Sequence, residues 1–156
     1  MYKYTKDVAM KRSSSNAGGY STATIITSTL PTAYNALSSD LRMVLNDQYI
    51  YYNDGNTSYQ INANVFIPSA TEVGYTNSFA FNDGYKFDYF VNDNSRKDLF
   101  GDERPYWLRT ADANSNDSFY VVWSRGNVGT SPVSNQFDIV LCFVVGGKTV
   151  HGGGSN

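Results

Sequence analysis

The chain has few of the residues from which catalytic and metal centres are built. Its 156 residues include one cysteine, Cys142, and one histidine, His151, which lies in a glycine-rich tail. One cysteine excludes an intrachain disulfide, and a lone tail histidine excludes both a histidine-based triad and a multi-histidine metal site. The sequence also lacks a P-loop and a nucleophile elbow. We therefore expect a protein that is not an enzyme and that needs neither a cofactor nor a metal ion.

Charge and long apolar runs are also scarce. Charged residues make up 17% of the chain, the formal net charge is −2, and basic residues cluster only at Lys11-Arg12 and Arg96-Lys97. Because neutralising phosphates requires clustered Lys and Arg, we expect no nucleic-acid partner. The longest apolar run, Ile139 to Val145, is far too short to span a membrane, so we expect no membrane insertion. The first residues lack the apolar core of a signal peptide.

Tyrosine, asparagine, serine and glycine are abundant instead. Aromatic residues make up 15% of the chain, and 13 of them are tyrosine. In binding loops, Tyr gives a large contact area at low entropic cost, and Ser and Asn give adaptable hydrogen bonds. The same residues are also common in β-rich domains, because strands and turns favour them. Composition alone leaves both interpretations open.

The hydrophobic pattern predicts one α+β domain with short helices, a small, mostly antiparallel sheet and long irregular loops. Residues 1–19 are polar and are predicted to precede the domain as a separate segment. The domain itself is assigned to residues 20–145. Residues 146–156 are predicted to form a flexible glycine-rich tail.

Short elements are predicted in the first part of the domain. Tyr20 to Ile26 has the composition of a strand. Apolar residues recur at helical spacing from Leu30 to Leu45, and Ser38 can cap a second short helix within that stretch. Further strands are predicted at Gln48 to Tyr52 and at Tyr85 to Val91.

Two segments carry the signals of helix ends. Ser69 and Glu72 have the spacing of a capping box, in which each side chain binds the other residue's backbone N–H. This spacing predicts a short helix that ends at Gly74. Asn94 to Gly101 is predicted to form one capped helical turn.

The C-terminal part of the domain combines strands with polar loops. Of four closely spaced strands, the first is aromatic, Tyr106 to Thr110, and the last is apolar, Ile139 to Val145. The stretch between them is rich in Asn, Ser and Asp. Another strand is predicted from Phe119 to Ser124, with a turn at Arg125 to Asn127. Loops held between rigid strands are common positions for binding surfaces.

The predicted core consists of apolar residues in the periodic or continuous apolar segments. They are Leu37, Leu41, Val65, Phe66, Ile67, Trp107, Leu108, Val121, Leu141, Cys142 and Phe143. Two polar stretches, Asn92 to Asn94 and Asn114 to Asp117, contain oxygen ligands that calcium accepts. They also have ordinary turn composition and lack the spacing of an EF-hand loop, so no metal site is assigned to them.

Two sequence blocks carry a family resemblance: VFIPSATEVG at residues 65–74 and YWLRT at residues 106–110. With them the chain resembles small domains of Firmicutes and their phages, over roughly residues 20–145. Those domains are similar to C-type-lectin-fold domains of the formylglycine-generating-enzyme type, so the resemblance implies a C-type-lectin-like fold. The enzymes of that fold use copper-binding cysteines. A chain whose single cysteine is Cys142 resembles the scaffold without its chemistry.

The same fold carries the variable proteins of diversity-generating retroelements, in which a C-terminal segment is mutagenised to make new binding surfaces. The resemblance thus implies a ligand-binding or display domain on a phage particle or bacterial surface, with a variable face within about residues 112–138. Its partner would be a protein or a glycan on a cell surface. The alternative is a structural virion or surface-assembly protein whose aromatic surface is the interface of a homo-oligomer.

The predicted ligand-binding residues lie between the two outer strands and include the Trp, Tyr and Arg types that often dominate interface energies. They are Asn114, Asn116, Phe119, Tyr120, Trp123, Arg125, Asn127, Ser134, Asn135, Gln136 and Asp138. The competing interpretation follows from the alternation of side chains along a strand. In it, Phe119, Val121 and Trp123 pack into the core, while Tyr120 and Val122 face solvent.

Overall fold

The computed structural model describes residues 2–11, 15–76, 83–97 and 103–146, with the backbone alone for residues 2–6. The described chain has a mixed α and β structure, with a few short helices and a curled, mostly antiparallel sheet. This confirms the predicted α+β class.

Five strands form the main sheet, and four of them come from the C-terminal part of the chain. They are β1 (Tyr2–Ala9), β5 (Tyr106–Ala111), β6 (Ser118–Val122), β7 (Val128–Pro132) and β8 (Gln136–Leu141). Their spatial order is β1-β8-β5-β6-β7. Neighbouring strands run antiparallel except β5 and β8, which run parallel.

Register shifts account for the curl of this sheet. The pairing of β1 with β8 shifts between Tyr4 and Val8. The pairing of β5 with β6 shifts between Trp107 and Ala111. An extra residue on one strand of a pair bends that strand and increases its twist.

Two smaller sheets have two antiparallel strands each. β3 (Gln48–Asn53) and β4 (Ser58–Ala63) form a hairpin, which confirms the strand predicted from Gln48. β2 (Leu45–Asn46) pairs with β9 (Val144–Val145). This second pair ties the last described strand to the helical part of the chain.

The helices are short. They are a 3₁₀-helix (Gly19–Thr22), a π-helical turn (Ile25–Thr29), α1 (Leu30–Ala36), α2 (Ser39–Val44) and α3 (Asp93–Arg96). Pro31 lies in the first turn of α1, where the missing N–H of proline is tolerated. The Ser38 hydroxyl accepts a hydrogen bond from the Leu41 N–H at the start of α2. The predicted restart of the helix at Ser38 is therefore confirmed.

Apolar side chains cover both faces of β6. On one face, Phe119 and Val121 belong to the larger core cluster. On the other face, Tyr120 and Val122 belong to a second cluster that also contains Phe90. The interpretation in which Tyr120 and Val122 face solvent is therefore wrong, because irregular chain around Phe90 covers that side of the sheet.

Most of the predicted core is confirmed. The buried members are Leu37, Val65, Phe66, Ile67, Trp107, Leu108, Val121, Leu141 and Cys142. Leu41 and Phe143 are only half-buried against the larger cluster. Phe143 lies between β8 and β9, where the chain leaves the main sheet.

The strand predicted at Tyr20 to Ile26 is wrong. This segment runs through the 3₁₀-helix into the π-helical turn. Its Thr and Ile content favours a strand, but hydroxyl groups in and after it bind carbonyl oxygens one turn earlier. The Ser28 hydroxyl, for example, donates to the Thr24 carbonyl at 3.1 Å. Such local bonds offer the backbone an alternative to a sheet.

The strand predicted at Tyr85 to Val91 is also wrong. Its backbone closes a turn instead of joining a ladder, since the Phe90 N–H donates to the Phe87 carbonyl. The Phe87 N–H donates to the Glu72 carbonyl and fixes the segment over the second apolar cluster.

The helical turn predicted from Asn94 is present, with earlier bounds. α3 begins after Asn92, whose side chain accepts a hydrogen bond from the Ser95 N–H in a capping box. The predicted terminal Gly101 lies outside the described residues.

The polar N-terminal segment is continuous with the sheet. The backbone of Tyr2–Ala9 forms the edge strand β1, and the Lys11 N–H donates to the Val133 carbonyl at 3.2 Å. The sequence boundary at residue 20 missed this strand because sheet pairing uses backbone groups, which a polar stretch also offers. The predicted tail beyond Gly146 lies outside the described residues.

Replacing Trp107 tests the core of the main sheet. The Trp107 side chain is fully buried, packs against Phe137 and donates its indole N–H to the Val8 carbonyl. We expect Trp107→Ala to lower the free energy of unfolding by about 3–5 kcal/mol in denaturant titrations. The control is Tyr49→Ala, at a side chain that is 73% exposed, with an expected change within about 0.5 kcal/mol. Similar losses for the two variants would contradict this packing.

Alkaline pH tests the burial of Cys142. Burial raises the pKa of the Cys142 thiol from 9.0 to about 12, so the unfolded chain ionises first. The contribution of the buried thiol to the free energy of unfolding is complete below pH 9 and is lost as the pH rises from 9 towards 12. Cys142→Ala should remove that part of the alkaline loss, leaving the part due to Tyr20, whose hydroxyl pKa is also raised by burial. Rapid labelling of the native thiol at neutral pH would contradict the buried position.

Candidate ligand-binding site

Two sequence blocks meet at a buried ion pair. Arg109 in β5 and Glu72, in the turn from Ser69 to Gly74, form two parallel hydrogen bonds with N–O distances of 2.7 and 2.6 Å. Both side chains are buried. The planar guanidinium matches a carboxylate in this bidentate geometry. The PSATE and YWLRT blocks therefore carry the two halves of one interaction.

Every N–H donor of the Arg109 guanidinium has an acceptor. Besides Glu72, the carbonyl oxygens of Tyr51, Ile67 and Asp83 accept hydrogen bonds from it at 2.7–2.8 Å. A guanidinium has five N–H donors, and these three bonds with the two to Glu72 use all of them. Arg109 thus joins β3 and two irregular segments to β5.

The Glu72 turn is built as the sequence predicts at its start but not at its end. Ser69 and Glu72 form the reciprocal bonds of a capping box, each 3.1 Å long. The predicted helix does not follow, because the chain turns at Gly74, whose φ is +78°. Gly84 packs against the Glu72 carboxylate, and a Cβ there would lie 2.7 Å from Oε1.

Three loops form a polar cleft at the end of β5. Residues 15–18, 54–56 and 112–117 line a space of about 820 Å³. Nine of the thirteen lining residues are Asp, Asn or Ser, and the others are Ala and Gly. Loops at the end of a rigid sheet that offer hydrogen-bonding groups are a common position for a binding site.

Asn16 holds the longest of these loops in place. Its side-chain amide donates to the carbonyl oxygens of Asp112, Ser115 and Ser118 at 3.2, 2.6 and 3.0 Å. Its backbone N–H donates to the Asn116 carbonyl at 2.9 Å. Asn16 is itself buried, so the loop from 112 to 117 is anchored beneath the cleft rather than free.

Residues 15–18, 54–56 and 112–117 form the first, second and third walls of the cleft, and Asp54 shapes the second wall. Its Oδ1 atom accepts hydrogen bonds from the Asn56 and Thr57 N–H groups, each 2.9 Å, and its Oδ2 atom accepts one from the Tyr59 hydroxyl. Burial acts to raise the pKa of the Asp54 carboxyl, but these hydrogen bonds outweigh it and lower that pKa below its usual value. The group is therefore ionised at neutral pH.

Two more carboxylates lie on the third wall. Asp112 Oδ1 accepts a hydrogen bond from the Asn114 N–H at 2.9 Å. Hydrogen bonds from the Ser115 and Ser118 hydroxyls lower the pKa of the Asp117 carboxyl. The nearby ammonium of Lys11 donates to the Ala17 carbonyl and the Thr22 hydroxyl. None of the described lining residues is Lys or Arg, so the cleft has a net negative charge.

Some of the predicted binding residues lie in or next to this cleft. Asn114 and Asn116 are exposed in its third wall. The turn that carries Ser134 and Asn135 is close by, because the Val133 N–H donates to the Asp117 carbonyl at 2.8 Å. Both turn residues are exposed, as is Gln136 at the start of β8.

Other predicted binding residues are not available at the surface. Phe119, Tyr120 and Asp138 are buried. Their predicted assignment to a binding face is therefore wrong. The two aromatic rings fill the two apolar clusters on either side of β6. The Asp138 carboxylate lies 3.2 Å from the Arg104 guanidinium. Trp123 is half-buried and packs edge-on against Phe137.

Arg125 and Asn127 are exposed at the other end of β6. The five residues of β6 place them roughly 14 Å or more from the cleft loop. Their turn is held by Arg96, which donates to the Gly126 carbonyl at 2.9 Å. Gly126 itself has a φ of +87° and no room for a Cβ beside Asp93. The predicted residues therefore do not form one continuous face.

Metal binding is not indicated among the described residues. Within them, no group of three or more His, Cys, Asp and Glu side chains is arranged to hold an ion. Of the side chains considered as calcium ligands, Asn92 caps α3 and Asp93 pairs with Arg96. His151 lies outside the described residues.

A family model that matches residues 6–145 is described as a domain of unknown function, DUF6273. The chain belongs to the DUF6273 family. Searches of curated proteins and of solved structures found no match. The match includes the Glu72–Arg109 pair and all three cleft loops of this DUF6273 domain. Each helix in its described part is too short or too polar to span a bilayer.

Removing the charge of Glu72 tests the buried ion pair. In Glu72→Gln, the new amide would turn an N–H towards the Arg109 guanidinium and leave a buried charge unpaired. We expect a loss of about 3–5 kcal/mol in the free energy of unfolding, as for other buried pairs that lose one partner. The control is Glu103→Gln at the only other glutamate, which is exposed and should change stability by less than about 0.5 kcal/mol. Equal free energies of unfolding for the two variants in denaturant titrations would contradict the buried Glu72–Arg109 ion pair.

Proposed function

We propose that this domain is a non-catalytic binding module that holds a neutral, polyhydroxylated ligand, such as a glycan, in the loop cleft. The observation that carries the proposal is the cleft itself. Carboxylates, amides and hydroxyls from three distant parts of the chain line it, and Asn16 keeps its longest loop in position. A pre-formed concave site with convergent polar groups is a common form of ligand site.

The charge of the cleft favours hydroxyl donors over anions. Asp54, Asp112 and Asp117 contribute three carboxylates, and Lys11 directs its ammonium to protein oxygens instead of the cleft. Phosphorylated or acidic ligands would be repelled by this arrangement. Sugar hydroxyls donate hydrogen bonds, and a bond to a charged acceptor is stronger than one to a neutral acceptor.

Tyr59 adds an aromatic surface beside the polar groups. Its hydroxyl donates to Asp54 at 3.2 Å, and its side chain is 43% exposed. It stacks on Tyr52 with ring centroids 5.4 Å apart, which limits its motion. A rigid ring next to hydroxyl-binding groups suits a sugar, which has an apolar face and polar edges.

Binding without catalysis is the version of the proposal that the chemistry supports. Cys142 is buried, and its thiol pKa is raised to about 12, so it is protonated at neutral pH. A protonated, inaccessible thiol cannot act as a nucleophile. The single histidine of the sequence, His151, lies after the family match.

Display on a phage particle or bacterial surface, on a C-type-lectin-like fold, is the wider setting that we propose. It rests on the resemblance of the blocks at 65–74 and 106–110. In this setting the exposed positions Asn114, Asn116, Ser134 and Asn135 could vary without loss of the core. Asn114 and Asn116 line the cleft directly.

A structural assembly role is the second candidate. Large side chains are exposed outside the cleft, among them Tyr85, Tyr89 and Val91. They lie close together in sequence on irregular chain, and exposed aromatic surface of this kind is typical of interfaces between proteins. A particle-bound copy whose cleft binds nothing would favour this role.

Binding to immobilised neutral glycans, followed by titration of the best ligand, tests the proposal. The Asn114→Ala, Asn116→Ala double variant should bind more weakly, because each lost hydrogen bond contributes about 0.5–1.5 kcal/mol. The matched control is Asn35→Ala with Asn94→Ala, two exposed asparagines outside the cleft. Both double variants should melt like the parent protein. The proposal that the cleft binds glycans would be refuted if the parent protein binds none of them. It would also be refuted if the two double variants lose the same amount of affinity.

A further inference from the structure

The outer edge of β4 lacks the features that usually protect a strand edge. The edge strands of the main sheet have them: β1 contains charged residues and a register shift, and β7 contains Gly129 and Pro132. β4, with the sequence SYQINA, has no charge, no proline and no glycine. Among the described residues, β3 is its only strand neighbour.

The register of the hairpin shows which backbone groups point outward. The Asp54 N–H donates to the Thr57 carbonyl at 3.3 Å, which makes these two residues a hydrogen-bonded pair. Bonded and non-bonded pairs alternate along an antiparallel ladder. Counted from that pair along the observed register, the backbone groups of Gln60 and Asn62 point away from β3.

We infer that β4 pairs antiparallel with β4 of a second copy, about a two-fold axis at Gln60. In this register Gln60 lies opposite the Gln60 of the second copy, and the outward backbone groups of these two residues meet. Tyr59 then lies opposite the second copy's Ile61, an aromatic and β-branched pair of the kind that stabilises sheets. The hairpins become one four-stranded sheet with an isologous interface.

The faces of β4 match in this arrangement. Tyr59 and Ile61 share the face that packs towards the core, and Gln60 and Asn62 share the other, polar face. A shift of one residue would place polar side chains opposite apolar ones. The register about Gln60 keeps like faces together in both copies.

A groove beside β4 extends the apolar surface around Ile61, while Tyr59 stays stacked on Tyr52 of its own chain. Leu30, Pro31, Tyr34 and Ile61 line an apolar space of about 240 Å³ between α1 and the hairpin. The second copy's Tyr59, opposite Ile61, lies next to this groove. Strand pairing then supplies the backbone bonds, and the groove supplies a side-chain contact.

Charge does not oppose the pairing. The only charged residue between Gln48 and Ala63 is Asp54, at the tip of the hairpin. In an antiparallel dimer the two tips lie at opposite ends. Asp54 lies beside Thr57, three residues from Gln60, so the two Asp54 residues are six residue steps apart along the paired strands. That separation is roughly 20 Å, beyond the screening length of about 8–10 Å in physiological salt. The net charge of −2 per chain is therefore not concentrated at the interface.

Sedimentation equilibrium of the full chain tests this inference, which does not depend on what the cleft binds. The parent protein should form a dimer. Gln60→Lys places two ammonium groups opposite each other and should raise the dimer dissociation constant by about tenfold or more. The matched control is Thr130→Lys, which adds the same charge at an exposed position of another edge strand, β7, and should leave the dimer intact.

A charge-swap experiment tests the register itself. Gln60→Lys and Gln60→Glu chains should each be mainly monomeric, whereas their mixture should dimerise, because only position 60 meets its own copy. Circular dichroism of each variant checks that it folds, as expected for an exposed side chain. A monomeric parent protein, a dimer insensitive to Gln60→Lys, or pure variants that dimerise as well as their mixture would each overturn the inference. If β4 instead binds an extended peptide of another protein, the parent protein alone should be monomeric, and the dimer inference would be overturned.

Discussion

The buried guanidinium of Arg109 is the interaction on which the rest of the structure depends. It binds Glu72 and three backbone carbonyls that belong to β3 and to irregular chain. Removing an ion pair from water costs several kcal/mol per ion, and this cost is offset only where geometry is good and every donor is used. The next residue extends the network, because the Thr110 hydroxyl accepts a bond from the Ala70 N–H and donates to Asp83. Segments without a ladder of their own acquire fixed positions through these directional bonds.

The elements that could be predicted from sequence are those in which a local pattern decides the structure. Tyr106 to Leu108 and Phe119 to Val122 are apolar runs in strands with both faces buried, and such strands have near-continuous apolar sequences. Ser38 starts a helix through its own hydroxyl. The segment from Tyr20 to Ile26 could not be predicted in the same way, since its composition favours a strand while hydroxyl bonds and tertiary burial favour helical turns.

The candidate site was predictable only in part, because distant segments build it. Asn114 and Asn116 were found from loop composition. Asn16 was missed, although it anchors their loop across about a hundred residues of sequence, and no local signal distinguishes it within a polar stretch. Phe119 and Tyr120 were assigned to the binding face because they lie between the two outer strands, in a segment rich in residue types that are common in interfaces. The second apolar cluster leaves β6 without a wet face, and irregular chain that covers a sheet is hard to infer from sequence.

The β3–β4 hairpin links the two proposed surfaces. Its tip, around Asp54, forms a wall of the cleft, and its edge, at Gln60, is the proposed dimer contact. In the proposed antiparallel dimer the tips point in opposite directions, so the two clefts lie at opposite ends of the paired sheet. Two sites gain from being linked only when a ligand or surface can reach both at once. A dimer of this geometry therefore suits a long or flexible polymeric ligand, or a bridge between two surfaces. The arrangement of one hairpin thus limits the kind of ligand for which dimerisation would increase affinity.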